Sequence, residues 1–145
     1  MACLRLLGTL HGYLPADPFE AWAANAVVDY CTDYVDLYKP HHKGPHTDET
    51  KQDYFDRIGK FAAHFDAQLQ KQGSKFITGN KMTIGDFTVS WILFNFVYND
   101  ALGGGADYYT QGGEIVAQHT ALSKYVETMR EELKEYLENR SPAPL

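Results

Sequence analysis

The chain has 145 residues, 44% apolar and 14% aromatic, enough for one domain whose packed interior outweighs the entropy of ordering it, which excludes intrinsic disorder. A formal charge of −6 excludes nucleic acid as the main partner, because a phosphate backbone needs a basic surface. No apolar run approaches the ~20 residues of a membrane span, and the apolar N-terminus is too short for a signal peptide and carries no cleavage pattern.

In chain order, Leu4, Leu7 and Leu10 recur at helical spacing and predict the tail of a helix over residues 2–11. Gly12 ends it, and Tyr13, Leu14 and Pro15 form an extended link. Asp17 as cap, Pro18 at the first helical position and Glu20 at the third open a long helix. Its stripe is Phe19, Ala23, Ala26, Tyr30, Tyr34 and Leu37. Pro40 is expected to stop it, and residues 40–48 read as a polar loop. A second long helix is expected over residues 49–72, with Phe55, Ile58, Phe61 or Ala62, Phe65 and Leu69 inward and Gly73 as its stop.

A short connection passes Phe76 and Ile77. Thr83 and Asp86 then have the spacing of a capping box, with Met82 and Phe87 in the two positions of a hydrophobic staple. The helix behind this cap, residues 87–98, is apolar nearly all round and is expected to be central. Gly103, Gly104 and Gly105 break the chain. A short helix is expected near residues 114–118. A last one over residues 121–139 places Leu122, Tyr125, Met129, Leu133 and Tyr136 on one stripe, and the tail 141–145 reads as loose. No alternating run demands a strand. The fold class is all-α, a helical bundle around one buried central helix.

The two cysteines, Cys3 and Cys31, fall inside apolar helical patterns. A chain with this much apolar material needs no disulfide, so both are expected reduced and mostly buried. That suits the cytoplasm or another reducing intracellular compartment.

Three segments, in order, resemble the glutathione S-transferase family, of the mu-, pi- or sigma-like kind. Leu4-Arg5-Leu6-Leu7-Gly8, Gly12-Tyr13-Leu14 and Asp17-Pro18-Phe19-Glu20-Ala21 are similar to the last helix of the family's thioredoxin-like domain, the linker and the start of its helical domain. Phe76-Ile77-Thr78-Gly79-Asn80-Lys81-Met82-Thr83-Ile84-Gly85-Asp86-Phe87 resembles the family's capping box and staple. Leu122-Ser123-Lys124-Tyr125-Val126 and Tyr136-Leu137-Glu138-Asn139-Arg140-Ser141-Pro142 are similar to its penultimate helix and the segment after it. The resemblance implies that residues 1–15 are the remnant of a thioredoxin-like domain with its linker, and that residues 16–145 are the all-helical C-terminal domain.

The departure concerns glutathione. The family's Gln-Ser or Glu-Ser pair aligns immediately before Met1, and its catalytic Tyr, Ser or Cys and its cis-proline lie further upstream. The expectation is a chain with no catalytic residue and no cofactor of its own, although glutathione serves the parent family. Asp33 aligns with an acidic residue that reaches across a dimer to glutathione's amino group. A carboxylate suits an ammonium by charge and hydrogen bonding. The plainer reading is a solvated helix-face acid beside Asp29 and Asp36. Tyr13, Tyr30, Tyr34 and Tyr38, with Trp22, form an aromatic set that either lines an electrophile pocket or packs the bundle or a dimer partner. His42, or its neighbour His41, lies where relatives place a pocket-lining residue. His41, His42 and His46 read as a solvated loop, since no nearby Cys completes a metal-ligand set. Thr83 and Asp86 read as a structural cap.

Two roles follow. One is the C-terminal domain of a glutathione transferase, supplying the electrophile pocket and dimer surface. The other is a non-catalytic docking module in a larger complex. The expected partners are a thioredoxin-like domain or another protein subunit, with a homodimer in either role.

Overall fold

The computed structural model describes residues 1–43, 47–99 and 106–140, with the side chains of residues 36–43 and 106–109 outside that description. In order come α1 (Ala2–Leu10), α2 (Pro18–Lys43), α3 (Asp48–Gln72), α4 (Ile84–Ile92) running into a π-helical turn (Leu93–Val97), α5 (Ala106–Ala117), α6 (Thr120–Glu132) and α7 (Lys134–Asn139). Among the described residues there is no strand; one isolated antiparallel bridge joins Phe76 and Gly79.

Local chemistry sets the starts and stops. The Asp17 carboxylate accepts from the amides of Phe19 and Glu20 at 2.9 and 3.0 Å, so α2 begins where its cap predicts. Thr47 and Thr50 cap α3 reciprocally. Gly73 ends α3 in the left-handed conformation, φ 61°, which glycine adopts without steric cost. The α3 stripe Phe55, Ile58, Phe61, Phe65 and Leu69 is buried, with Tyr54 and Ala62 beside it. It packs with α2, α5, α6 and α4 into the main core. A smaller cluster of Ala24, Val28 and Ile84, with Leu4 and Leu14 against it, fastens α1 to α2 and α4.

Several expectations are corrected. The helix does not stop at Pro40 but runs through Lys43. Proline removes one i→i−4 bond and crowds a carbonyl, yet its own φ is helical, so the residues after it can continue the helix. The segment near 114–118 is the end of a longer helix that begins at Ala106. Gly112 and Gly113 weaken the sequence signal, but they bring α5 close to Val97 and Tyr98. The last helix breaks at Leu133, whose φ of −106° and ψ of 13° leave the helical range. Tyr136 is thereby turned off the stripe and is exposed. Cys3 is exposed and Cys31 buried, both free. The apolar pattern around Cys3 is genuine, but the face it marks points outward.

Candidate functional site

The site is built on the start of α4. Thr83 and Asp86 close the capping box. The Asp86 carboxylate accepts from the amides of Ile77 at 2.9 Å and Thr83 at 2.8 Å, and from the Tyr125 hydroxyl at 3.1 Å. Burial raises its pKa above the ordinary carboxylate value, against the hydrogen bonds donated by Ile77, Thr83 and Tyr125. Burial, and then the charge of Asp86, push the Tyr125 phenol well above its ordinary value. These groups satisfy one another inside the core, which is the work of a structural clamp.

The clamp fixes α4 so that Phe87 and Trp91 point to one side. The π-turn adds Phe94 and Asn95. The bend at Leu133 swings α7 across, bringing Tyr136 and Arg140 opposite. Between them lies a cavity of about 380 Å³, within the ~300–1,000 Å³ range of small-molecule sites. Its walls are Phe87, Trp91, Phe94, Leu133 and Tyr136; its polar members are Ser90, Asn95 and Arg140. The Arg140 guanidinium donates to the Phe94 carbonyl at 2.9 Å and to Asn95 Oδ1 at 3.3 Å.

The sequence-derived candidates lie elsewhere. Tyr13 meets the cavity wall from outside, edge-on to Phe87 with ring centres 4.9 Å apart. Tyr30 is half-buried between α2 and α3, stacked on His64 at 4.3 Å and on Tyr34 at 5.7 Å. Tyr34 is buried and donates its hydroxyl to the Arg57 carbonyl. Burial raises the Tyr30 phenol, with Cys31 adding to it, and burial lowers the His64 imidazole. Asp33 and Trp22 are exposed on α2. The side chains of Tyr38, His41, His42 and His46 lie outside the described residues. Among the described residues no three His, Cys, Asp or Glu side chains gather as metal ligands. The sequence reading did not single out Trp91, Phe94 or Arg140. Periodicity shows a helix apolar all round but not which side remains open, and Arg140 depends on the bend at Leu133.

A family model, glutathione S-transferase C-terminal domain, matches residues 29–140. This chain belongs to that family. The match contains the capping box and every residue lining the cavity. No curated protein matches the sequence. The crystal structure of the glutathione S-transferase Blo t 8 is similar with a TM-score of 0.76, at 19% identity over 95% of this chain. At that identity the likeness is one of fold. The chain spans 61% of the length of that protein. Among the described residues no helix of this C-terminal domain is long and apolar enough to cross a membrane.

Proposed function

We propose that this chain is the helical half of a glutathione transferase-type protein, packing on a thioredoxin-like domain that holds glutathione. It supplies part of the electrophile pocket and part of a dimer surface. The observation that carries the reading is the outer face of α1. Leu4 and Gly8 face inward, while Cys3, Leu6, Leu7 and Leu10, at i, i+3, i+4 and i+7, are all exposed. Phe19 and Trp22, 82% and 70% exposed, add apolar surface at the start of α2. A helix apolar on two sides belongs between two bodies, and a patch of this kind marks a partner.

In this reading residues 1–15 are the last helix of the thioredoxin-like domain with its linker, and residues 16–145 are the helical domain. Tyr13, Tyr38 and His42 belong to the electrophile side, and Tyr30 and Tyr34, packed on α3, back it from within the bundle. Asp33 reaches glutathione's amino group across the dimer. The chain by itself does not catalyse, because none of its residues matches the family's nucleophile-activating group or glutathione-binding pair. Its free thiols suit the cytoplasm or another reducing compartment.

The same exposed face supports a second reading, a docking module for another protein subunit. Calorimetric titration of glutathione into the purified chain, with its mass in solution recorded, tests the shared claim. No binding, with self-association through the α1 face, is expected; micromolar binding would overturn it. The coding sequence upstream of Met1 separates the two readings. An in-frame Val-Pro followed by Gln-Ser supports the transferase, and a stop codon supports the module.

A further inference from the structure

We infer that the outer face of α2 and α3 docks a second copy of this chain only while His64 is uncharged, so that acidification separates the two copies. The inference rests on the dimer surface proposed above, and its test separates failure of that surface from failure of the gate.

The pairing of the two helices sets the face. Tyr30 stacks on His64, whereas Tyr34 lies against Phe61 and the Arg57 carbonyl. Later residues of α2 therefore meet earlier residues of α3, and the two helices run antiparallel. At the centre of their outer face stands the stack of Tyr30 and His64, with ring centres 4.3 Å apart. Around it are small side chains, Ala26 and Ala67 exposed and Ala23 half-buried, which let another helix come close. Beyond them lie charges of opposite sign on the two helices. Asp33 stands on α2, about one turn from Tyr30. Lys60 and Lys71 stand on α3, about one turn before His64 and about two turns after it. None of these three has an ion-pair partner among the described residues. Arg57 is held by Asp53 at 2.8 Å.

Asp33 precedes Tyr34, so it is level with Lys60. A second copy, given a half-turn about an axis along the helices, sets α2 against α3 in both halves. Each Asp33 then meets the partner's Lys60, and the two stacks meet at the centre. The face is complementary to itself, as a two-fold dimer requires. An aromatic centre with a charged rim is the usual anatomy of an interface.

His64 sets the condition. When neutral, its ring can be covered by the partner at little cost. When protonated, it carries a charge out of water about 5–6 Å from Lys60. The other groups around it give no relief. Tyr30 and Phe65 are uncharged rings, Arg57, Lys60 and Lys71 are cations, and Asp33 is taken by the partner's Lys60. Burial within one copy already lowers the imidazole, and further covering acts in the same direction. Docking therefore expels the proton, and association weakens as pH falls through the range in which an imidazole charges.

The test is sedimentation of the purified chain carrying Leu10→Glu, which charges the outer face of α1 against burial, at about pH 7.5 and about pH 5.5. The dissociation constant is expected to rise about tenfold on acidification. His64→Gln should flatten that response, and His119→Gln, at the start of α6, should keep it. At about pH 7.5, Asp33→Lys or Lys60→Glu alone should weaken association, and the two together should restore it. An acid response that persists in His64→Gln, or no response in the parent, overturns the gate while the face stands. No association at about pH 7.5, or no recovery in the double variant, overturns the face and the gate with it. Circular dichroism identifies a variant that fails to fold, and His64→Phe, which keeps an uncharged ring on Tyr30, then takes the place of His64→Gln.

Discussion

The hydroxyl of Tyr54 on α3 donates to the carbonyl of Phe96 in the π-turn at 2.6 Å. The turn widens the backbone ring: the amide of Tyr98 bonds back to the Leu93 carbonyl at 2.8 Å. Side chains from other elements then take carbonyls within it, Tyr54 at Phe96 and Arg140 at Phe94. The π-turn is thus pinned by α3 on its buried side and by the end of α7 beside the cavity, and it joins the core to the candidate site.

Replacing Tyr54 by Phe keeps the ring and removes the donor. The Phe96 carbonyl is left without that bond in the interior, and the expected cost is about 1–3 kcal/mol. Urea unfolding of the two proteins measures it. A difference under about 0.5 kcal/mol would mean that another donor replaces the phenol and that Tyr54 does not pin the turn.

Asp86→Ala removes the acceptor for the buried amides of Ile77 and Thr83, and the expected loss is about 2–4 kcal/mol from two unsatisfied donors and a lost cap. Asp86→Asn separates shape from charge. The folded pKa of Asp86 is raised above its ordinary 3.8, burial being the cause. A raised pKa gives stability that is fully present below the unfolded value and is lost as pH rises through the folded one. The penalty of Asp86→Asn should therefore be larger below pH 3.8 than at neutrality. Denaturant midpoints of both proteins across that range check the sign, and a penalty that grows with pH would refute it.

What the sequence disclosed follows from how local each feature is. The capping box of Thr83 and Asp86, the α3 stripe and the stop at Gly73 are encoded within a few residues and stand where periodicity and cap chemistry place them. The bend at Leu133 and the π-turn are not local. Both are settled by contacts from other elements, and a periodic stripe continues smoothly through them on paper. The cavity is formed by that bend, so residues 87–98 read only as a central helix, and nothing local marks Trp91 or Arg140 as cavity lining. The aromatic set on α2 was visible, but spacing alone could not separate Tyr30 and Tyr34, which pack on α3, from Trp22, which faces outward.

His64 stacks nearly parallel to Tyr30, 15° between the rings, and burial lowers its pKa below 6.5. The neutral imidazole is the form the fold prefers. The stabilisation it gives is present at neutral pH and above, and it is lost as pH falls from 6.5 through the lowered folded value. Proton NMR of the imidazole, assigned with a His64→Gln variant, should show titration below 6.5. A midpoint at or above 6.5 would mean that the stack does not shield the ring.

The two sides of α1 give opposed expectations. Gly8 is buried where α1 crosses the start of α4, and a methyl there would run into Cγ2 of Ile84. Gly8→Ala should therefore cost about 1–3 kcal/mol through overpacking and loosen α1 from Val28 and Ile84. Leu10 points the other way and is 68% exposed. Leu10→Glu removes no core contact, so its effect on chemical denaturation, measured dilute enough to keep the chain monomeric, should stay within about 0.5 kcal/mol. The same charge placed on the outer stripe should lower self-association in sedimentation runs, since a desolvated carboxylate opposes burial of that face. Had α1 only one working face, Leu10→Glu would leave association untouched, and the case for a body packed against it would fail.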